Sequence, residues 1–209
     1  MQRFALFSLT NKASSYIKLA RFLNNNGIII LATEGTYRFL KDNKISVLPT
    51  SKITGFSSLL FDKVKTLNHV IHSMILCDRE NKDELKEIES YGLIDYVVVN
   101  LYETKYNNIE DFLKSLDIGG RTLINSAIKN FKYVTLIVDE ESCAEVLKEL
   151  SENKEISIET RKRLALKGFE YLLNYEAKAY SYLYENFTQM LSLFILLKEG
   201  KKLKYGENP

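Results

Sequence analysis

RFALFSLTNKASSYIKLARFLNNNGIIILATEGTYRFLKD, residues 3–42, sets the pattern that the rest of the chain follows. Arg3 to Ser8 is a short, continuous apolar run, as expected of a strand buried on both faces of a parallel sheet. Ser8-Leu9-Thr10-Asn11-Lys12 is a polar turn. Ala13 to Asn24 then places Tyr16, Leu19, Ala20 and Leu23 at helical spacing, and Asn24-Asn25-Asn26-Gly27 supplies a helix stop. Ile28 to Ala32 reads as a second strand, Thr33-Glu34-Gly35-Thr36 as a turn, and Tyr37 to Asp42 as the next helix. Strand, turn and helix, twice over in about 40 residues, predict an α/β fold with a parallel sheet.

Outward from this stretch the same alternation continues. Ile45 to Leu48 is a third short strand, and Ser51 to Leu60 a loop with a short helix. Ser73 to Cys77 is apolar, and Asp78 to Tyr91 a charged, exposed helix ended by Gly92. Leu93 to Leu101 (LIDYVVVNL) carries the strongest strand signal, with almost no alternation. Lys105 to Leu116 holds a short helix, and LDIGGRTLINSAIKN, residues 116–130, a turn that opens into another. Tyr133 to Val138 is a further buried strand, and Asp139 caps a helix to Leu150. Ile158 to Leu197 is a long helical stretch with a break near Glu185 to Thr188. The predicted fold is a three-layer α/β sandwich with a central, mostly parallel sheet, plus C-terminal helices. Residues 1–150 form the core, 158–197 a helical extension and 198–209 a linker-like tail.

Composition narrows the function. With 45% apolar and 27% charged residues the chain has the balance of a globular protein. A formal charge of +2 argues against nucleic acid or membrane surfaces as partners. Cys77 and Cys143 match no metal or redox spacing, which fits a reducing compartment and a cytoplasmic location. No apolar run approaches a membrane span, and the N-terminal run is too short for a signal peptide.

In a parallel α/β sheet, ligands bind beyond the carboxyl ends of the strands. That rim gathers Ser8, Thr10, Lys12, Thr33, Gly35 and Thr36, which suit a phosphate, although helix capping explains each turn equally well. It also gathers Asn100 and Tyr102. The Gly119-Gly120 pair after Asp117 and Ile118 lets backbone amides approach an anion. Asp117 and Lys129 are candidate proton-handling groups, and a tight turn with a surface lysine is the plainer alternative. Lys63 and Lys65 share a face if their segment is extended. His69 and His72 stand at a spacing that a metal could use, but no third ligand is evident, and no metal is expected.

Short blocks spread over nearly the whole chain are similar to the N-terminal, inosine monophosphate cyclohydrolase domain of the bifunctional purine-biosynthesis enzyme family. They are ALFSLTNK near the start, TEGT at 33–36, ITGF at 53–56, KVKTL at 63–67 and VVNLY at 98–102. LDIGG at 116–120, AIKN at 127–130, ETRKRLALKGFEY at 159–171 and YGENP at 205–209 complete the set. The resemblance implies a methylglyoxal synthase-like sandwich and closure of the second purine ring, with no metal or organic cofactor. It implies that Thr10, Asn11, Lys12, Thr33, Glu34, Gly35, Thr36, Lys63, Val64, Thr66, Val99, Asn100, Ile118 and Gly119 surround the ribotide. It assigns the chemistry to Lys65, Tyr102, Asp117 and Lys129. In the family, YGENP leads into a second, formyl-transferring domain; without that domain here, a separate transformylase becomes a partner. The tyrosine-rich C-terminal helices pack either internally or against a second copy, as in a homodimer.

Several positions depart from the family pattern. Glu34 replaces the first glycine of a pair, and Asn68-His69 replaces His-Pro. Glu103-Thr104 follows Tyr102 in place of Pro-Phe. Lys63 and Asn125 replace arginines, and Phe131 a histidine. Such drift around the assigned residues is compatible with a divergent cyclohydrolase, with a nucleotide- or phosphate-sensing module, or with an enzyme that cyclises a related imidazole ribotide.

Overall fold

The computed structural model describes residues 1–56 and 66–196. Strands β1 (Arg3–Ser8), β2 (Ile29–Ala32), β3 (Val47–Pro49), β4 (Leu93–Val99) and β5 (Thr135–Ile137) form one sheet in the order β3-β2-β1-β4-β5. Every neighbouring pair is parallel. The helices are α1 (Ser14–Asn25), α2 (Glu34–Asp42), α3 (Ser51–Thr54), α4 (His69–Leu76) and α5 (Lys82–Glu87), then α6 (Ile109–Ser115), α7 (Gly119–Lys129), α8 (Glu140–Asn153) and α9 (Ile158–Thr188).

Side chains alternate across the strands, so both faces of the sheet are dry. Phe4, Leu6, Val97, Val99 and Leu136 pack under α4 and α7 and against Leu172 of α9. Ala5, Phe7, Ile30, Val98 and Ile137 pack under α1 and α8 and against Leu40 of α2. Each fully buried Leu, Ile or Phe contributes about 1.5–3 kcal/mol of transfer free energy, which is why the central strands lack polar alternation.

The interruption in β4 is Asp95. The pairing steps from Phe4–Ile94 to Ala5–Tyr96, leaving Asp95 as an extra residue. Its buried carboxylate is paired with Arg3 (2.7 Å) and Arg79 (2.8 Å). A buried charge is tolerated only with such partners.

Several elements differ from the sequence reading. The TEGT turn is already helical, because α2 begins at Glu34. HVIHSMIL forms α4, capped by the Asn68 side chain, which accepts the Val70 N–H. Its Val70, Ile71, Met74 and Ile75 are buried at helical spacing. The charged 78–91 segment is helical only over Lys82–Glu87, where Asn81 caps it; Leu85 and the adjoining Ile88 are what it packs on the core. Helix α9 runs without a break to Thr188, and residues 189–196 have no regular structure. Among the described residues, no helix is long and apolar enough to cross a membrane.

Helix α9 lies close against β5 and α7 because residue 168 is glycine: a Cβ there would collide with Leu136 and press on Ile128. This close approach brings α9 to the carboxyl-end rim of the sheet. At that rim the chain leaves β1 toward β2 on one side and β4 toward β5 on the other, and the divergence opens a crevice between them.

Candidate active site

The β1 exit loop is held by side chains from both neighbouring strands' ends. Asn100, just past β4, accepts the Thr10 N–H (2.7 Å) and the Asn11 N–H (3.1 Å) through Oδ1. Its amide donates to the Asn11 carbonyl (2.9 Å) and lies 3.4 Å from the Tyr16 hydroxyl. Thr10 Oγ1 sits 2.8 Å from Asn100 Oδ1 and 2.9 Å from the Leu101 carbonyl. On the other side the buried Thr36 hydroxyl accepts the Leu9 N–H (2.8 Å). Asn100 and Thr36 are therefore braces of the loop. Burial pushes the Tyr16 phenol up to about 12, so it stays protonated.

Helix α2 presents its first turn to the same rim, with Glu34 and Gly35 exposed. Lys12 extends over it: the ammonium lies 3.9 Å from where a Cβ on Gly35 would stand and 6.0 Å from the centre of the Phe39 ring. The unpaired N–H groups of a helix start, a lysine and the Thr33 hydroxyl make a suitable anion cradle. Glu34 does not oppose it, because its carboxylate turns back to Arg38 (3.2 Å) on the outer face of the helix.

Across the crevice stands Asp117. Its Oδ1 accepts the Gly120 N–H (2.7 Å) and its Oδ2 the Tyr102 N–H (3.3 Å). The carboxylate thus caps α7 and ties that helix to the β4 exit at once. The glycines after it are required by space. A Cβ on Gly120 would stand 2.6 Å from Leu101 Cδ2 and 2.8 Å from Asp117 Oδ2, and one on Gly119 would collide with the Thr66 hydroxyl.

Between these walls lies a cavity of about 620 Å³. Thr10, Thr33, Thr66, Tyr102, Asp117, Ile118 and Gly119 line it, as does Ser8. The tail of α6, Leu113 to Ser115, completes the wall; in the sequence it reads as the end of a short helix, with no glycine or turn signal to single out Lys114 or Ser115. Lys12, Glu34 and Gly35 stand beside the cavity at the α2 end. Val99 is buried in the core, so only its backbone reaches the rim. Lys63, Val64 and Lys65 lie outside the described residues.

Lys129 is placed elsewhere. It is the exposed last residue of α7, whereas Asp117 precedes the first. Ten residues of helix separate Gly119 from Lys129, about 15 Å of axial rise. Because α7 runs back down the sheet, Lys129 ends at the opposite rim. The twelve-residue spacing that linked the two in the sequence is what parts them.

His72 Nδ1 is 2.8 Å from the Ser126 hydroxyl, and burial lowers the pKa of the ring. Among the described residues, no three His, Cys, Asp or Glu side chains gather as a metal site. A second hollow, about 430 Å³, lies between α4 and α5, away from the strand ends.

Two tyrosines of α9 that the sequence reading did not place at the site reach its loops. Tyr171 Oη accepts the Leu101 N–H (3.0 Å), and Tyr175 Oη accepts the Asp117 N–H (2.9 Å).

An all-parallel sheet with helices on both faces, and a crevice of helix starts and hydroxyls at its switch point, define a doubly wound α/β domain. Comparison with known proteins makes this specific. Residues 15–122 match the MGS-like domain family, and residues 127–209 match the AICARFT/IMPCHase bienzyme family. The bifunctional purine biosynthesis protein PurH of Clostridium botulinum (strain Hall) is 40% identical over 98% of this chain. That of Caldicellulosiruptor saccharolyticus is 39% identical over 100% of the chain. The chain belongs to the PurH family, with an MGS-like fold, and spans 42% of the length of the Clostridium relative. The crystal structure of ForH superposes with a TM-score of 0.78 at 30% identity, covering 88% of this chain and 97% of that one.

Proposed function

We propose that this chain is an IMP cyclohydrolase, which closes the second ring of 5-formamidoimidazole-4-carboxamide ribotide to give inosine monophosphate and water. The observation that carries this is the meeting of the Asp117 carboxylate and Tyr102 in one cavity with the anion cradle at the start of α2. The ribotide phosphate sits on the α2 start, with Lys12 and the hydroxyls of Thr10 and Thr33. The imidazole lies across toward Asp117. The family resemblance assigns Lys63 and Val64 to the ribotide and Lys65 to the chemistry.

The carboxamide nitrogen is a poor nucleophile, and Asp117 takes its proton as it attacks the formyl carbon. Charge develops on the former formyl oxygen, which the Tyr102 phenol, Lys65 and backbone N–H groups at the α7 start stabilise. That oxygen then leaves as water, protonated by Tyr102 or Lys65, while the formamido nitrogen gives up its proton and the C=N bond forms. The steps balance without metal or organic cofactor. Because both arms belong to one molecule, holding them in a reactive conformer is a large part of the work. A formyl-transfer reaction must supply the formylated substrate.

Lys129, at the opposite rim, favours a second reading, in which the cleft binds a nucleotide without turning it over. An absorbance assay with the formylated ribotide separates the two. Ring closure by the wild type that falls about 10²–10⁴-fold in Asp117→Asn supports the enzyme. Tight binding of the ribotide with no ring closure refutes it in favour of a sensor.

A further inference from the structure

The C-terminal helix α9 packs on β5 and α7 and also touches both loops that carry the proposed chemistry. We propose that Tyr171 and Tyr175 are positioning residues, whose phenol oxygens set the separation of Tyr102 and Asp117. This rests on the cyclohydrolase reading for its kinetic consequence, but not for its geometry.

Tyr171 and Tyr175 are four residues apart, so they point the same way from α9, one turn above the other. Tyr171 takes the N–H of Leu101, the residue before Tyr102, at 3.0 Å. Tyr175 takes the N–H of Asp117 itself at 2.9 Å. The two loops are 15 residues apart in sequence; the Tyr102 N–H meets Asp117 Oδ2 at 3.3 Å, and the Lys105 N–H meets Ser115 Oγ at 2.9 Å. A rigid helix holding both backbones at a fixed pitch therefore determines how far apart the phenol and the carboxylate stand.

The rest of α9 is arranged to keep this grip. Gly168 lets the helix sit hard against β5, and Glu176, next to Tyr175, pairs with Arg121 on the first turn of α7. Burial raises the pKa of both phenols, and the nearby Asp117 charge adds to it. They are neutral hydrogen-bonding groups at working pH and do not relay protons.

The test is Tyr171→Phe, Tyr175→Phe and the double variant, each of which removes one oxygen and leaves the ring to pack. Amide hydrogen exchange of the full chain is read at Leu101 and Asp117, alongside kcat and KM for the formylated ribotide. Each variant is expected to speed exchange at its own amide and lower kcat about 10-fold or more, with KM within about 2-fold, because displacements near 1 Å are that costly. Glu176→Gln, which loosens α9 but keeps both phenols, is the control and should leave kcat within about 2-fold. Wild-type kcat in the double variant overturns the proposal, and so does an equal loss in Glu176→Gln. Should the wild type itself not turn the ribotide over, the cyclohydrolase reading fails while exchange still decides the clamp: unchanged protection at Leu101 and Asp117 overturns it, and faster exchange at both sustains it.

Discussion

Replacing Gly120 by alanine tests whether the Asp117 carboxylate is held by space as well as by hydrogen bonds. The new Cβ would stand 2.6 Å from Leu101 Cδ2, 2.8 Å from Asp117 Oδ2 and 3.0 Å from Oδ1. The leucine methyl can rotate away. The carboxylate cannot do so easily, because it accepts the N–H of Gly120 itself at 2.7 Å. Two effects on stability oppose each other. Alanine is better than glycine in a helix by about 1 kcal/mol, whereas overpacking costs about 1–3 kcal/mol. The net is a loss of roughly 0–2 kcal/mol, or a fall in Tm of up to about 8 °C at about 2–4 °C per kcal/mol for a chain of this size. Turnover should suffer more, by about 10–100-fold, since the carboxylate must shift by several tenths of an ångström from its reactive position. Gly35→Ala is the matched control. Its Cβ would meet only the Lys12 ammonium, at an ordinary 3.9 Å, and it should equal or exceed wild-type Tm. Thermal melts and the ring-closure assay on both proteins decide the matter. A Gly120→Ala protein as stable and as active as wild type would refute the steric argument.

Three further outcomes follow from the same geometry. Thr36→Val should cost about 1–3 kcal/mol in denaturant unfolding, because the Leu9 N–H loses its buried acceptor at near-constant volume; an unchanged midpoint would show that the loop finds another partner. His72, whose pKa burial lowers, resists protonation when folded but not when unfolded. The unfolded state therefore binds the extra proton below about pH 6.5, so stability falls as pH drops through that point and is flat above it. His72→Gln should shrink the fall in Tm between pH 7.5 and 5.5, and an identical fall would exclude this residue as a cause. Both cysteines are buried, and burial pushes the Cys143 thiol up to about 12. Neither should react with iodoacetamide at pH 8 until the chain is unfolded, and rapid labelling of the native protein would contradict the packing.

The sheet was legible because its strands are uniformly apolar. LIDYVVV needs both faces covered, and the helices that cover them follow each strand in turn. Helix α4 was less so. HVIHSMIL carries a helical repeat, but two histidines at its start suggested ligands, and only the covering sheet reveals why Val70 and Met74 turn inward. Of the site, the residues at strand ends were legible because a parallel sheet sends every strand end to one rim; Thr10, Thr33, Tyr102 and Asp117 reach the cavity for that reason. Lys129 stands about 15 Å along α7 from Gly119, because chain spacing along a helix is a distance as well as a count of turns. Asn100 and Thr36 were read as ligand-binding, yet their polar atoms go to the loop they brace. Tyr171 and Tyr175 were hidden differently: at helical spacing an aromatic on a packing face looks the same whether or not its hydroxyl meets a distant backbone.

The central place of β1 in the sheet has a consequence for the nascent chain. Its first partner, β2, is complete at Ala32, but its second, β4, only at Val99. Ribosomes add about 5–20 residues each second, so the intervening segment takes roughly 3–13 s to appear. Throughout that interval the strand bearing Phe4 and Phe7 keeps one row of amides and carbonyls unmatched, an open template for other chains. Crowding on the polysome, rather than heat or denaturant, should then be the condition under which this protein is most prone to clump.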